Sequence, residues 1–106
     1  MLFVSLVPHV VSVVRQDGSI FDIKPSGTVA RCAQTEETVT VIDDIRITRQ
    51  TFGEVTDLPE RREGTRFIVS RMVAAAAADR DDLLIPGPLV RDSDGTVIGC
   101  LGLSVL

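Results

Sequence analysis

Apolar residues in this chain alternate with polar ones far more often than they recur at helical spacing, and that alternation predicts strands. Val10 to Arg15 and Ile20 to Ile23 are β-branched or aromatic runs on either side of Gln16-Asp17-Gly18-Ser19. Asp-Gly there supplies the positive φ angles of a tight turn, so the two runs read as a first hairpin. The opening Met1 to Val7 is apolar and reads as a buried strand. Thr28 to Ala33 alternates as a further strand, in which Arg31 shares a face with Val29. Thr38 to Thr48 carries the clearest period-two signal in the chain. A two-residue Asp43-Asp44 loop would set Val41 opposite Arg46 and Thr40 opposite Ile47, mixing the faces. A three-residue loop pairs Val41 with Ile47 and Thr40 with Thr48, so the pattern predicts the three-residue loop.

Phe52 to Val55 extends or follows this strand with a bend at Gly53, and Thr56 to Gly64 is a polar loop. Arg66 to Val69 is a short buried strand leading into an alanine-rich helix around residues 70–79, with Ser70 as its N-cap. Asp79 to Asp82 ends the helix. Leu83 to Ile85 and Leu89-Val90 flank Pro86-Gly87-Pro88, and Asp92 to Gly95 turns the chain into Thr96 to Leu103. The prolines favour an edge position for the first strand of this last hairpin. The expectation is one compact α+β domain over residues 1–106, built mostly from antiparallel hairpins, with about seven to nine short strands and one helix.

Composition narrows the function classes. A hydrophobic fraction of 44% excludes a disordered chain, and 106 residues leave room for one domain. A formal charge of −4 disfavours a sequence-independent grip on nucleic acid or an anionic membrane. No run of 18 or more uncharged apolar residues is present. With only Cys32 and Cys100, a disulfide scaffold is not expected, and a reducing cytoplasm is the expected setting.

Few residues suggest chemistry. His9 is the only histidine, so any imidazole base or metal ligand must be this residue. Cys100 lies in Gly99-Cys100-Leu101-Gly102, where a backbone can be approached closely, and a Cys/His pair is one way to build a nucleophile. The blander alternative makes Cys32 and Cys100 small core residues and His9 a hydrogen-bonded strand end. Asp92 to Gly95 reads as a turn, and Asp79, Asp81 and Asp82 as a solvated helix-end loop. No glycine spacing matches a phosphate loop. No catalytic residue, metal ligand or cofactor is assigned. The strand-to-helix junction offers a candidate anion pocket, with Ser70 and Arg71 as donors and Arg31 and Arg80 as added charge. Arg61 and Arg62, flanked by Glu60 and Glu63, read as a solvated loop or a contact for an acidic partner.

The loop Leu58 to Gly64, Phe67 to Ser70, Arg80 to Leu84 with Pro86, and Arg91-Asp92 with Gly95 and Gly99-Cys100 resemble a family of small single-domain proteins. These occur in actinobacteria, cyanobacteria and some bacteriophages. Pro8-His9 and Pro25 to Arg31 extend the resemblance over nearly the whole chain. The chain departs from it at Asp43-Asp44, where such proteins usually carry Asp-Gly, and at Leu101, which replaces a more polar residue. The resemblance implies a bacterial or phage cytosolic setting and a full-length single domain, and it transfers no catalytic residue.

The leading expectation is a non-enzymatic module that binds another protein or itself. It rests on the lack of a complete catalytic set, a mean hydropathy of +0.26, and the uncharged segment Gly99 to Leu106, whose Leu103 and Leu106 want a partner strand. That strand lies inside the monomer or across a symmetric dimer. The alternatives are a binding site for a phosphate or carboxylate ligand at Ser70-Arg71, and a small enzyme using His9 or Cys100.

Overall fold

Phe67, Ile68 and Val69 are completely buried, and their alternating side chains organise the body of the molecule. Phe67 and Val69 enter a cluster with Leu6, Val73, Leu83 and Ile85. Ile68 points the other way, among Val7, Val11, Val13, Ile23 and Cys100. A strand buried on both faces needs a layer on each side.

The computed structural model describes residues 2–106. Its strands are β1 (Leu2–Ser5), β2 (Val11–Val14), β3 (Ile20–Ile23), β4 (Arg31–Ile42), β5 (Ile45–Thr56) and β6 (Thr65–Ile68). After the single helix α1 (Arg71–Ala76) come β7 (Leu83–Pro86), β8 (Leu89–Arg91), β9 (Val97–Leu101) and β10 (Leu103–Ser104). One sheet runs β1-β6-β7-β10 and a second β3-β2-β9-β8, while β4 and β5 pair only with each other. Val73, Ala74 and Ala77 of the helical segment close the Phe67 side, and the second sheet closes the Ile68 side. The body is therefore a helix, a sheet and a sheet in layers.

The chain is mostly β with one short helix, as the alternation predicts, but the hairpin reading needs correcting in three respects. First, the β1–β6, β6–β7 and β2–β9 pairs are parallel. Alternation marks a strand without naming its partner, and the crossover through α1 makes β6 and β7 parallel neighbours. Second, ten strands form among the described residues, and two of them are long. Third, the helix stops at Ala76. Ser70 caps it by accepting the Val73 N–H at 3.3 Å. Alanine would continue it, but the chain must instead deliver Asp82 to the body, where its carbonyl accepts the Phe67 N–H at 2.9 Å.

Asp82 is 2% exposed, so the acidic segment is not simply a solvated loop. Arg80 Nε and Nη2 donate to its two carboxylate oxygens at 2.8 and 2.7 Å, and Nη2 also donates to the Pro59 carbonyl at 3.0 Å. This fork holds the Asp82 carboxyl below the usual carboxylate range despite burial, and it raises the Arg80 pKa in turn.

The prolines at the β7–β8 connection do place β8 at a sheet edge. The apolar segment after Gly99 finds its partners inside the monomer: β9 lies between β2 and β8, and β10 pairs with β7. The demand for a strand partner is thus met up to Ser104.

Candidate functional site

From Arg31–Thr56 to Ile42–Ile45, β4 and β5 form one two-stranded ribbon of 12 residues a strand, or about 40 Å of chain. Its base is anchored. Cys32 and Val55 pack against the first core cluster, and Gln34 Nε2 donates to Met72 Sδ of α1 at 3.1 Å. Beyond that base the residues are exposed almost throughout, and the ribbon stands out as an arm. The radius of gyration is 16.6 Å, against about 13 Å for a compact chain of this length.

The turn at the tip is Asp43-Asp44, with φ of 52° and 63°, the left-handed pair that a two-residue hairpin loop requires. The predicted three-residue loop is not formed. Val41 lies opposite Arg46 and Thr40 opposite Ile47, and a bulge before Thr40 then brings Thr38 opposite Thr48. Register is strongly specified only where one face is buried, and here neither face is, so mixed pairs carry no burial penalty. The outcome at the tip is an apolar patch on one face: Ile42, Ile45 and Ile47 at 57%, 62% and 40% exposure. Behind it the stem is mostly polar, with an exposed Arg46–Glu36 pair at 3.9 Å and a Thr35–Thr51 hydroxyl contact, though Val39 and Phe52 are exposed on it too.

A second feature lies where the two sheets part on the side away from α1. A groove of about 930 Å³ runs between them, floored by Val13, Ile23 and Leu84 and walled by Phe3, Phe21 and Leu101. Phe3 stands on β1 and Phe21 on β3, each the outer strand of its sheet. The Arg15 guanidinium lies 4.6 Å from the centre of the Phe21 ring, placing a cation on the rim. Asp17, also on the rim, is occupied locally: it accepts from the Ser19 hydroxyl and from the Ser19 N–H at 2.9 Å, which hold its carboxyl below the usual range.

The residues singled out from sequence are dispersed. Ser70 is spent on capping Val73, and Arg71 lines a small cleft with Pro86, Pro88 and Leu106. Arg80 is committed to Asp82 and Pro59, and the exposed Arg31 starts the arm. Arg71 and Arg80 line different clefts, and neither is joined there by Ser70 or Arg31. Arg61 pairs with Asp81 at 2.6 Å, both exposed, and Arg62 lines the shallow cleft beside it. Leu103 is half-buried on the groove wall, while Leu106 is exposed.

His9 and Cys100 do border one cleft, of about 280 Å³. His9 Nδ1 is hydrogen-bonded to the Val10 carbonyl at 3.1 Å, and the Cys100 thiol, 2% exposed, donates to the Ser12 carbonyl at 3.5 Å. Each is turned to a backbone oxygen. Gly99 next to it is needed for strand packing, since a Cβ there would lie 2.6 Å from the Ser12 carbonyl oxygen. Cys32 and Cys100 are both free and belong to different clusters. Among the described residues no group of three His, Cys, Asp or Glu converges as a metal site, and no helix is long and apolar enough to cross a membrane.

The chain matches no known protein family, no curated protein and no solved structure.

The arm and the groove are the features that the sequence reading did not single out. One signal for the arm was present: Thr28 to Phe52 contains neither Gly nor Pro, so nothing interrupts β4 between its two alternating stretches.

Proposed function

We propose that this protein is a non-enzymatic protein-binding module and that the β4–β5 arm is its binding element. One observation carries the reading: a ribbon paired with nothing but itself holds Ile42 and Ile45 out in water at its far end. A two-stranded hairpin is marginal alone, and apolar side chains at its tip add nothing to a core they do not reach. Such a tip gains free energy only when another surface covers it. A bacterial or phage cytosol is the setting we propose, on the resemblance described above.

The test is a photo-crosslinking amino acid in place of Ile45, introduced in the cells that make the protein. A covalent adduct with a protein, whether another polypeptide or a second copy, is expected. An arm tip that captures no protein overturns the reading.

A further inference from the structure

We infer that the arm tip of one copy inserts into the inter-sheet groove of a second copy, so that the protein assembles head to tail. This rests on the arm being the binding element and names its partner. The two surfaces are chemically matched. The tip presents Ile42, Ile45 and Ile47 beside the carboxylates of Asp43 and Asp44. The groove presents Phe3, Phe21, Leu84 and Leu101 beside Arg15, which takes part in none of the ion pairs among the described residues. Apolar surface meets apolar surface, and the two acidic side chains of the tip meet the rim cation Arg15, while the rim carboxylate of Asp17 is turned to Ser19.

Geometry excludes the same chain as donor. The arm is anchored against α1, on the face of the first sheet that looks away from the second sheet, whereas the groove opens between the sheets. The ribbon is continuously paired from base to tip, and no tip residue lines the groove of its own chain. The outer edge of β3 beside the groove also pairs with no other strand, whereas the edge of β1 is met at Ser5 by Pro25 and Ser26.

The exposed area agrees in size. A compact monomer of 11.5 kDa exposes about 5,800 Å², and this chain exposes 7329 Å². The excess is on the order of 1,500 Å²; it counts both faces of the whole arm, and so sets an upper bound on what the contact buries that lies within the standard interface range. Because tip and groove are different patches, the contact is made twice across a two-fold axis, closes into a larger ring or runs on as a filament, as its rotation dictates.

The test uses the full chain and two variants at exposed positions: Ile42→Asp with Ile45→Asp, which spoils the tip, and Leu101→Glu, which spoils the groove. Sedimentation velocity over a concentration series is expected to show self-associated wild-type species, a dimer or larger. Each variant, with an unchanged thermal unfolding transition, is expected to lose association by at least about tenfold. Mixed together they should form a one-to-one dimer and nothing larger, since only one good tip and one good groove remain. Pairing Arg15→Glu with Asp43→Arg and Asp44→Arg should restore association that Arg15→Glu alone weakens. A wild-type chain that stays monomeric overturns the inference, as does an assembly that Leu101→Glu leaves intact. The Ile45 cross-link separates the two readings: an adduct with a different protein, without a second copy, sinks this inference and leaves the binding role of the arm standing.

Discussion

Arg80 grips the carboxylate of Asp82, two residues on, through a two-pronged hydrogen bond, and the pair seals the place where the chain leaves α1 for β7. Asp82 is almost wholly buried while the Arg80 head keeps some contact with water. Replacing the carboxylate by an amide would leave a partly buried cation with one neutral acceptor oxygen and the Pro59 carbonyl in place of a charged two-oxygen fork. Asp82→Asn is therefore expected to cost roughly 2–3 kcal/mol in urea denaturation at neutral pH.

The same pair sets an acid limit. The Asp82 carboxyl has a lower pKa folded than its ordinary value of 3.8, so the native state holds fewer protons than the unfolded chain. Its contribution is fully present above about pH 4 to 5 and is lost as pH falls through the folded pKa. Wild-type stability should drop on acidification below that window, and the Asp82→Asn curve should be flatter there.

Core and arm should separate under mutation. Ile68 is fully buried between the sheets, and Ile68→Ala is expected to cost about 2–5 kcal/mol. Ile42→Ala at the tip should change monomer stability by less than about 0.5 kcal/mol. Chemical denaturation of both variants checks the contrast.

At the tip turn, Asp44 holds a left-handed φ that glycine adopts without steric cost. Asp44→Gly should stabilise the hairpin by about 0.5–1 kcal/mol, read as slower amide exchange along β4 and β5.

A Cβ at Gly87 would fall 2.2 Å from the Leu101 carbonyl oxygen, whereas one at Gly53 would meet nothing nearer than the Ala33 Cβ at 3.4 Å. Gly87→Ala is expected to lower stability by about 1–3 kcal/mol or more, and Gly53→Ala by less than about 1 kcal/mol. Thermal unfolding of the pair distinguishes a close approach of backbones from mere turn chemistry.

Much of the body was legible in the sequence because burial writes a period into it. The β2–β3 hairpin, the strand through Phe67 and Ile68, the Ser70 cap and the edge position of β8 all follow from local residue types. Strand direction was not legible, because the partners of β1 and β2 lie far along the chain and leave no local mark. The register of the arm is not legible for the opposite reason. The alternation over Thr38 to Thr48 implies one buried face, but beyond its anchored base the ribbon touches no core and the turn geometry decides the register instead. The groove has no sequence signal at all: Phe3, Leu84 and Leu101 come together only once both sheets have formed.

The parallel pairing of β1 with β6 and of β2 with β9 also imposes an order of events. A chain made from its N-terminus presents two apolar strands early, and neither can complete its sheet until the later segments emerge. The β4–β5 ribbon needs only its own turn and closes on the timescale of a hairpin. During synthesis the part that reaches outward thus starts to pair before the part that steadies it exists, and the nascent β1 and β2 are the surfaces for which a chaperone has most use.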